Sequence, residues 1–290
     1  MGLISIVIVT YNSKEHIESC IDSVLAQKNK DWGIIVIDNA SCDGKREILK
    51  NRFPRIRLIE NPGNYGYPKA LNQGIANTSG EFILCLNDDV TLKNDDFLTI
   101  VCDSMKKDGQ VGAIQPKLLK PDGAIDTTGI ARSFLRRFYD LNNGKIDASE
   151  LNSPQYVFGA CNAAVFYRRK ALEEIRQGQE YFDEDFFCLV EDVDISWRLQ
   201  KKAWHTLYQP NAIGIHNRGL SRRKDNFTQY LNMRNRYLMI IKNETLWGFL
   251  RLPFIFLVYD VWRNLFMFMV NRKYFLKACF TYNLSHGRAM

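Results

Sequence analysis

The chain lacks the features that staple small folds or build metal ribbons. Its seven cysteines, Cys20, Cys42, Cys85, Cys102, Cys161, Cys188 and Cys279, stand singly, with an odd total and no C-x-x-C pair. That excludes a disulfide framework and a zinc ribbon, and reads as the reduced thiols of a cytosolic protein. Neither a G-x-G-x-x-G nor a G-K-[ST] loop occurs, which excludes the glycine-rich phosphate cradles at helix N-termini. There is no internal repeat, no low-complexity tract and no linker long enough to part independent domains. Residues 1–9 are apolar but lack a basic flank and a small-residue cleavage site, so they do not read as a signal peptide. What is present is ordinary globular composition, 46% hydrophobic and 24% charged over 290 residues, enough for one large domain or two small ones.

The net charge of +7 is unevenly placed. Residues 216–290 hold 13 Lys+Arg against 3 Asp+Glu, while residues 1–215 hold 26 against 29. A nucleic-acid binder would be basic throughout. A mildly acidic body with a basic, aromatic tail points instead to an anionic membrane surface or a phosphate-bearing partner.

Hydrophobic periodicity predicts strands at 3–9, 33–37, 56–59 and 81–86, alternating with helices at 13–27, 43–52 and 69–76. Near-continuous apolar strands alternating with helices imply an α/β fold, a parallel sheet covered on both faces. After a helix at 95–106 the elements shorten. A strand is expected over 156–167, a helix over 191–201, strands over 204–208 and 212–216, and helices over 227–241 and 246–270. The apolar stretch 252–270 is about long enough to span a bilayer. Asp260, Arg263 and Asn264 at its centre, each charge costing on the order of 2.5–3.5 kcal/mol there, favour a helix lying in the interface, with Asp260 and Arg263 paired.

In open α/β sheets ligands lie beyond the carboxyl ends of the strands. Four polar clusters stand at those ends: Thr10-Tyr11-Asn12, Asp38-Asn39-Ala40-Ser41, Asn61-Pro62-Gly63-Asn64 and Asn87-Asp88-Asp89. Each alone is explicable as turn chemistry. In succession, ending on an acidic pair, they suit Mg²⁺ or Mn²⁺ bridging the phosphates of a nucleotide.

The strings SIVIVTYN, VIDNASCDG, NPGNYGYPKALNQGI, LNDDV, FGACNAAVFYRR, EDVDISWR and RNRYLMIIKN, in this order over residues 5–243, resemble a family 2 glycosyltransferase. Among its members the chain is most similar to the bacterial rhamnosyltransferase-type enzymes of cell-surface polysaccharide synthesis. The resemblance implies a GT-A fold, a Rossmann-like mixed sheet with a C-terminal helical extension. The catalytic domain would cover 1–220, with a nucleotide-binding half (1–92) and an acceptor-binding half (93–220), and 221–290 would form a basic amphipathic tail. It implies that Thr10, Tyr11 and Asn12 line the nucleotide pocket, that Asp38 reads the base, and that Asn64, Gly66, Ala70 and Asn72 close over ribose and phosphates. Asn87, Asp88 and Asp89 stand where the family has D-x-D. Asp89 would hold the metal with His216, although a histidine after a strand is equally a turn or core residue. The Asn at position 87 puts metal affinity in question.

On a helix Glu191, Asp194, Ile195 and Arg198 share one side, and Asp192 lies about 100° away, free to face a pocket. Inverting transfer needs one carboxylate to take the acceptor's proton. The resemblance assigns that to Asp192 of the Glu191-Asp192 pair. An acidic first turn complementing the helix dipole would look the same. Gly159 and Ala160 would flank donor sugar and acceptor, and Arg234 and Arg236, with Arg222 and Arg223, would grip a diphosphate or simply form a solvated basic face.

The expected function is inverting, metal-dependent transfer of a sugar, with rhamnose from dTDP-rhamnose the leading donor. The acceptor would be a saccharide linked to a polyprenyl diphosphate, and the enzyme would sit on the inner face of the cell membrane. No nucleic acid is involved, and self-association is open to the tail. A silent nucleotide-sugar-binding scaffold is the alternative.

Overall fold

The computed structural model describes residues 3–218, 226–272 and 275–277. The run ISIVIVT forms β1 (Ile4–Thr10), buried along its whole length. Alternation of its side chains sends Ile4, Ile6 and Ile8 to one core layer, with Ile17, Ile21 and Val24 of α1 (Lys14–Leu25). Val7 and Val9 go to the opposite layer. The chain continues through β2 (Trp32–Asp38), α2 (Lys45–Arg52), β3 (Arg57–Glu60), α3 (Tyr67–Ala76), β4 (Phe82–Asn87), β5 (Val90–Leu92) and α4 (Phe97–Lys107). There follow β6 (Val111–Leu119), β7 (Ile125–Thr127), β8 (Ile130–Arg132), β9 (Phe138–Asp140), β10 (Gln155–Val157), β11 (Ala164–Arg168) and α5 (Arg169–Ile175). The last are α6 (Glu191–Lys201), β12 (His205–His216) and α7 (Asn226–Asn243), then further helix to Val270. Helices α3, α5 and α6 cover the second core layer.

The sheet order is β10-β12-β6-β11-β4-β1-β2-β3, with β5 added to β12 and β7 to β6. Strands β4, β1, β2 and β3 run parallel. β11 is antiparallel to both its neighbours, β4 and β6, so the sheet is mixed. It also runs unbroken from the first 92 residues into the following segment.

Two expectations are corrected. The stretch 156–167 is two strands, β10 and β11, on different neighbours. Between them the chain leaves the ladder, with Gly159 pressed against Ser196 of α6, where a Cβ would collide. Conversely, 204–208 and 212–216 are one strand, β12, whose register shifts between Gln209 and Ile213. The helix α7, expected within the basic amphipathic tail, packs on the body. Its Met239 and Ile240 pack with Phe186, Val193 and Trp197, and Asn243 donates to Asp194 at 2.5 Å.

The polar stripe of Leu252–Val270 is turned inward. Asp260 is buried and binds Arg236 of α7 at 2.7 Å, not Arg263. Arg263 donates to the Asn232 carbonyl and Asn264 to the Tyr237 hydroxyl. The apolar side, with Phe254, Leu257, Trp262, Phe266, Met269 and Val270, is exposed. Arg222 and Arg223 lie outside the described residues.

Candidate active site

A cleft of about 920 Å³ opens at the carboxyl ends of β1, β2 and β4. Tyr11 and Asn12 line it, with Asn39, Asn64, Gly66, Asn87, Asp88, Asp89, Glu191, Asp192 and His216. The loops after β1 and β2 are tied together, the Cys42 N–H donating to Asn12 Oδ1 at 2.9 Å and the Asn12 N–H to Ser41 Oγ at 3.0 Å.

Lys45 lies beneath this floor, with no exposed side chain. Its ammonium donates to Thr10 Oγ1 at 2.5 Å and Ser13 Oγ at 3.2 Å, and stands 3.8 Å from Asp88. Ser13 donates to Asp88 in turn. Burial lowers the lysine pKa against the pull of Asp88 and Asp43. Burial also raises that of Asp88, opposed by Ser13, Thr10 and Lys45.

Sheet register brings Asp89 and His216 together. β12 ends antiparallel to β5, with His216 opposite Val90, and the Asn217 N–H donates to the Asp89 carbonyl at 2.9 Å. The His216 Nδ1 is 2.8 Å from Asp126 of β7, and its Nε2 is 3.4 Å from Asp89 Oδ1. Burial disfavours the imidazolium, but the contacts with Asp126 and Asp89 outweigh it and lift the pKa to about 9. Arg218 completes the group, bonding Asp126 at 2.5 Å and Asp140 of β9 at 2.9 Å.

Among the described residues the buried His216 Nε2 and Asn87 Oδ1 have no hydrogen-bond partner. A carboxylate facing an imidazole nitrogen fits a divalent ion that would displace the imidazolium proton and take its remaining oxygens from phosphate and water. Asp126 on the other imidazole nitrogen would fix the tautomer. Among the described residues no three His, Cys, Asp or Glu side chains are grouped for a metal, and Asp89 and His216 are the pair that face each other here.

Helix α6 begins at the opposite wall. Val190 precedes it in a left-handed conformation, φ 73°. Glu191 is buried, its Oε2 without a hydrogen-bond partner among the described residues, while Asp192 is half-buried at the cleft surface. Burial raises both carboxyl pKa values, reinforced by Asp192 at Glu191 and by Asp140 at Asp192. Asp194 is instead used inside, bonded to Arg198 at 2.9 Å.

Other sequence-predicted residues sit elsewhere. Thr10 is turned down onto Lys45 and does not line the cleft. Asp38 is wholly buried, accepting from Arg46 at 2.5 Å and the Ser41 N–H at 3.2 Å, so Asn39 is the residue of that cluster in the wall. Ala70 belongs to the core. Asn72 holds the backbone of Tyr181 and Phe182. Gly159 and Ala160 pack inward, leaving Cys161, Asn162 and Ala163 on the cleft. Arg236 is consumed by Asp260 and by the Arg136 and Leu135 carbonyls. Arg234 donates to the Asp185 and Phe186 carbonyls. Arg236 is buried with its guanidinium satisfied internally, while Arg234 is half-buried and spends its Nη2 on the loop before α6.

Sequence reasoning missed Lys45, Asp126, Asp140 and Arg218. Arg218 was within reach, two residues beyond His216. The other three have no local signal, since only long-range pairing gives them their partners.

Residues 5–176 match the family described as glycosyl transferase family 2. The chain is 26% identical over 250 residues to the N-acetylglucosaminyl-diphospho-decaprenol L-rhamnosyltransferase of Mycobacterium tuberculosis, covering 77% of this chain and 78% of that protein. It is 27% identical over 219 residues to the poly-beta-1,6-N-acetyl-D-glucosamine synthase of Staphylococcus epidermidis, covering 72% of this chain and 48% of that longer relative. A solved mannosyltransferase of Pyrobaculum calidifontis, in complex with GDP-Man and Mn²⁺, has a TM-score of 0.60 at 15% identity. The match covers 99% of this chain and 88% of that one, a likeness of fold.

Proposed function

We propose, from the premise that the chain belongs to glycosyl transferase family 2, that it transfers a sugar with inversion from a nucleoside diphosphate donor to a lipid-linked saccharide at a membrane surface. It is a glycosyltransferase of GT-A fold. The observation that carries the finer reading is the cleft itself. Asp192 lines one wall, and the Asp89–His216 pair lines the same space.

In this reading Tyr11, Asn12 and Asn39 border the nucleoside, and Asn64 and Gly66 approach its phosphates. Asp89 and His216 would hold a divalent ion, Mg²⁺ or Mn²⁺, whose chemistry is to neutralise the diphosphate leaving group. Asp192 accepts the proton of the acceptor hydroxyl as that oxygen bonds to the anomeric carbon. The bond from that carbon to the diphosphate oxygen breaks, and its electron pair leaves with the nucleotide. The raised pKa suits a base working near neutrality.

The M. tuberculosis relative's name supports rhamnose as the sugar and a diphospho-polyprenyl saccharide as the acceptor class, and dTDP-rhamnose is the donor of this reading. The exposed apolar side of Leu252–Val270 supports peripheral attachment, because Asp260 is paired with Arg236 of α7 and the greasy side is left outward.

The test is thermal stabilisation of the full chain by dTDP-rhamnose, UDP-sugars and GDP-sugars, with Mn²⁺ or Mg²⁺ and then EDTA. It is followed by transfer assays of Asp192→Asn with a synthetic N-acetylglucosaminyl diphospho-lipid. A metal-dependent shift for one donor, and loss of transfer with donor binding retained, are expected. Full transfer by Asp192→Asn would overturn the base assignment.

A further inference from the structure

The loop that leads into α6 is held in a conformation ordinary side chains avoid. Phe187, Leu189 and Val190 have φ of 63°, 71° and 73°, left-handed values that are uncommon for bulky or branched residues. Such strain persists only where the surroundings over-determine it. Here they do so from two sides.

On one side is α7. Asn235 is wholly buried, and its Nδ2 lies 2.9 Å from the Phe186 carbonyl and 2.8 Å from those of Cys188 and Leu189. Arg234 Nε donates to Asn235 Oδ1 at 2.9 Å, which orients the amide, and its Nη2 donates to the Asp185 and Phe186 carbonyls. On the other side is the nucleotide wall. The Tyr67 N–H donates to the Phe187 carbonyl at 2.7 Å, and a Cβ on Gly66 would collide with that carbonyl.

We infer that Asn235, oriented by Arg234, is a positioning residue that clamps the strained 186–190 loop and so aims Asp192 into the cleft. The inference rests on the reading of Asp192 as the base. The clamp acts through the backbone. It sets the direction in which α6 starts, and with it how far Asp192 is withdrawn from water among Glu191, Asp140, Cys161 and Tyr167. Because the same loop is bonded to Tyr67, the clamp also ties the base to the segment that borders the donor phosphates.

Asn235→Ala and Arg234→Lys in the full chain test this, with dTDP-rhamnose and the synthetic N-acetylglucosaminyl diphospho-lipid as probes. For Asn235→Ala the expected result is a kcat loss of about 10²-fold, the scale of a displaced catalytic group, with donor KM little changed. The acid limb of the kcat profile moves to lower pH, because a loosened loop lets water reach Asp192 and its pKa falls toward the ordinary carboxylate value. Amides 186–192 and that of Tyr67 exchange faster, with the β1 and β4 amides still protected. Arg234→Lys gives the same changes in weaker form.

Lys242→Gln is the control for loss of stability alone. It removes ion pairs from α7 to Asp183 and Asp185 and lowers Tm without moving the acid limb. If Asn235→Ala lowers Tm yet keeps the wild-type kcat and acid limb while Asp192→Asn is inactive, the clamp is overturned and the base stands. If Asp192→Asn is active, the base reading falls, and the clamp's catalytic purpose with it.

Discussion

Glu191 shows how a single residue trades stability for readiness. Its carboxyl is buried, one oxygen has no hydrogen-bond partner among the described residues and its pKa is raised. The folded state therefore holds its proton more tightly than the unfolded chain does. The stability this contributes is complete below the ordinary glutamate pKa of about 4.3. It is lost as pH rises toward the folded value. Glu191→Gln removes that loss, so the variant should gain Tm over wild type by an amount that grows with pH and then levels off. Melting curves from pH 4 to 9 check this, and a gain independent of pH would refute it. The Asp89–His216 pair carries a second prediction. Asp89→Asn should abolish the metal-dependent part of the donor-induced Tm shift while leaving the apo Tm near wild type, because the ligand stabilises only through its differential binding to the folded state. Both residues were legible as polar positions at element ends. The Asp126 partner of His216 was not, because β7 brings it in across 90 residues of chain, just as β9 brings Asp140 to Arg218 across 78.

At the scale of elements, the decisive object is α7. Its amphipathic period was readable, but which face meets what was not. The charged residues Arg234 and Arg236 looked like an exposed grip for phosphate. In the fold they turn inward, one toward the loop before α6 and one toward Asp260. The sequence pairing of Asp260 with Arg263, three residues apart, is correct helical geometry, yet Arg236 offers a buried two-nitrogen contact that Arg263 does not. Asp260→Ala should leave that guanidinium buried and uncompensated, at a cost of about 3–5 kcal/mol. The double variant with Arg236→Met should recover most of the loss in urea denaturation. Strand errors have the same origin. The stretch 156–167 has strand composition throughout, and only the approach of Gly159 to Ser196 interrupts it.

At the scale of the whole molecule, an acidic body carries a basic, aromatic extension. Its helix Leu252–Val270 presents an outward face rich in Phe, Trp and Leu. Substituting Trp262→Gln with Phe266→Gln should weaken co-sedimentation with anionic vesicles and leave Tm nearly unchanged. Raising salt should weaken wild-type binding, since part of the attraction is screened charge. No loss of sedimentation in the double variant would point to another use of that face. The sequence by itself determined the alternation of strands and helices, the family, and the strand-end clusters where a nucleotide belongs. Each is written in local periodicity or in short strings whose chemistry acts where they stand. Only the tertiary structure decided that the sheet is mixed, that His216 meets Asp89, that Lys45 props the floor of the cleft, and that α7 holds the 186–190 loop. Those depend on register and burial between segments far apart in the chain. A buried charge takes its role from the partner that the fold brings to it.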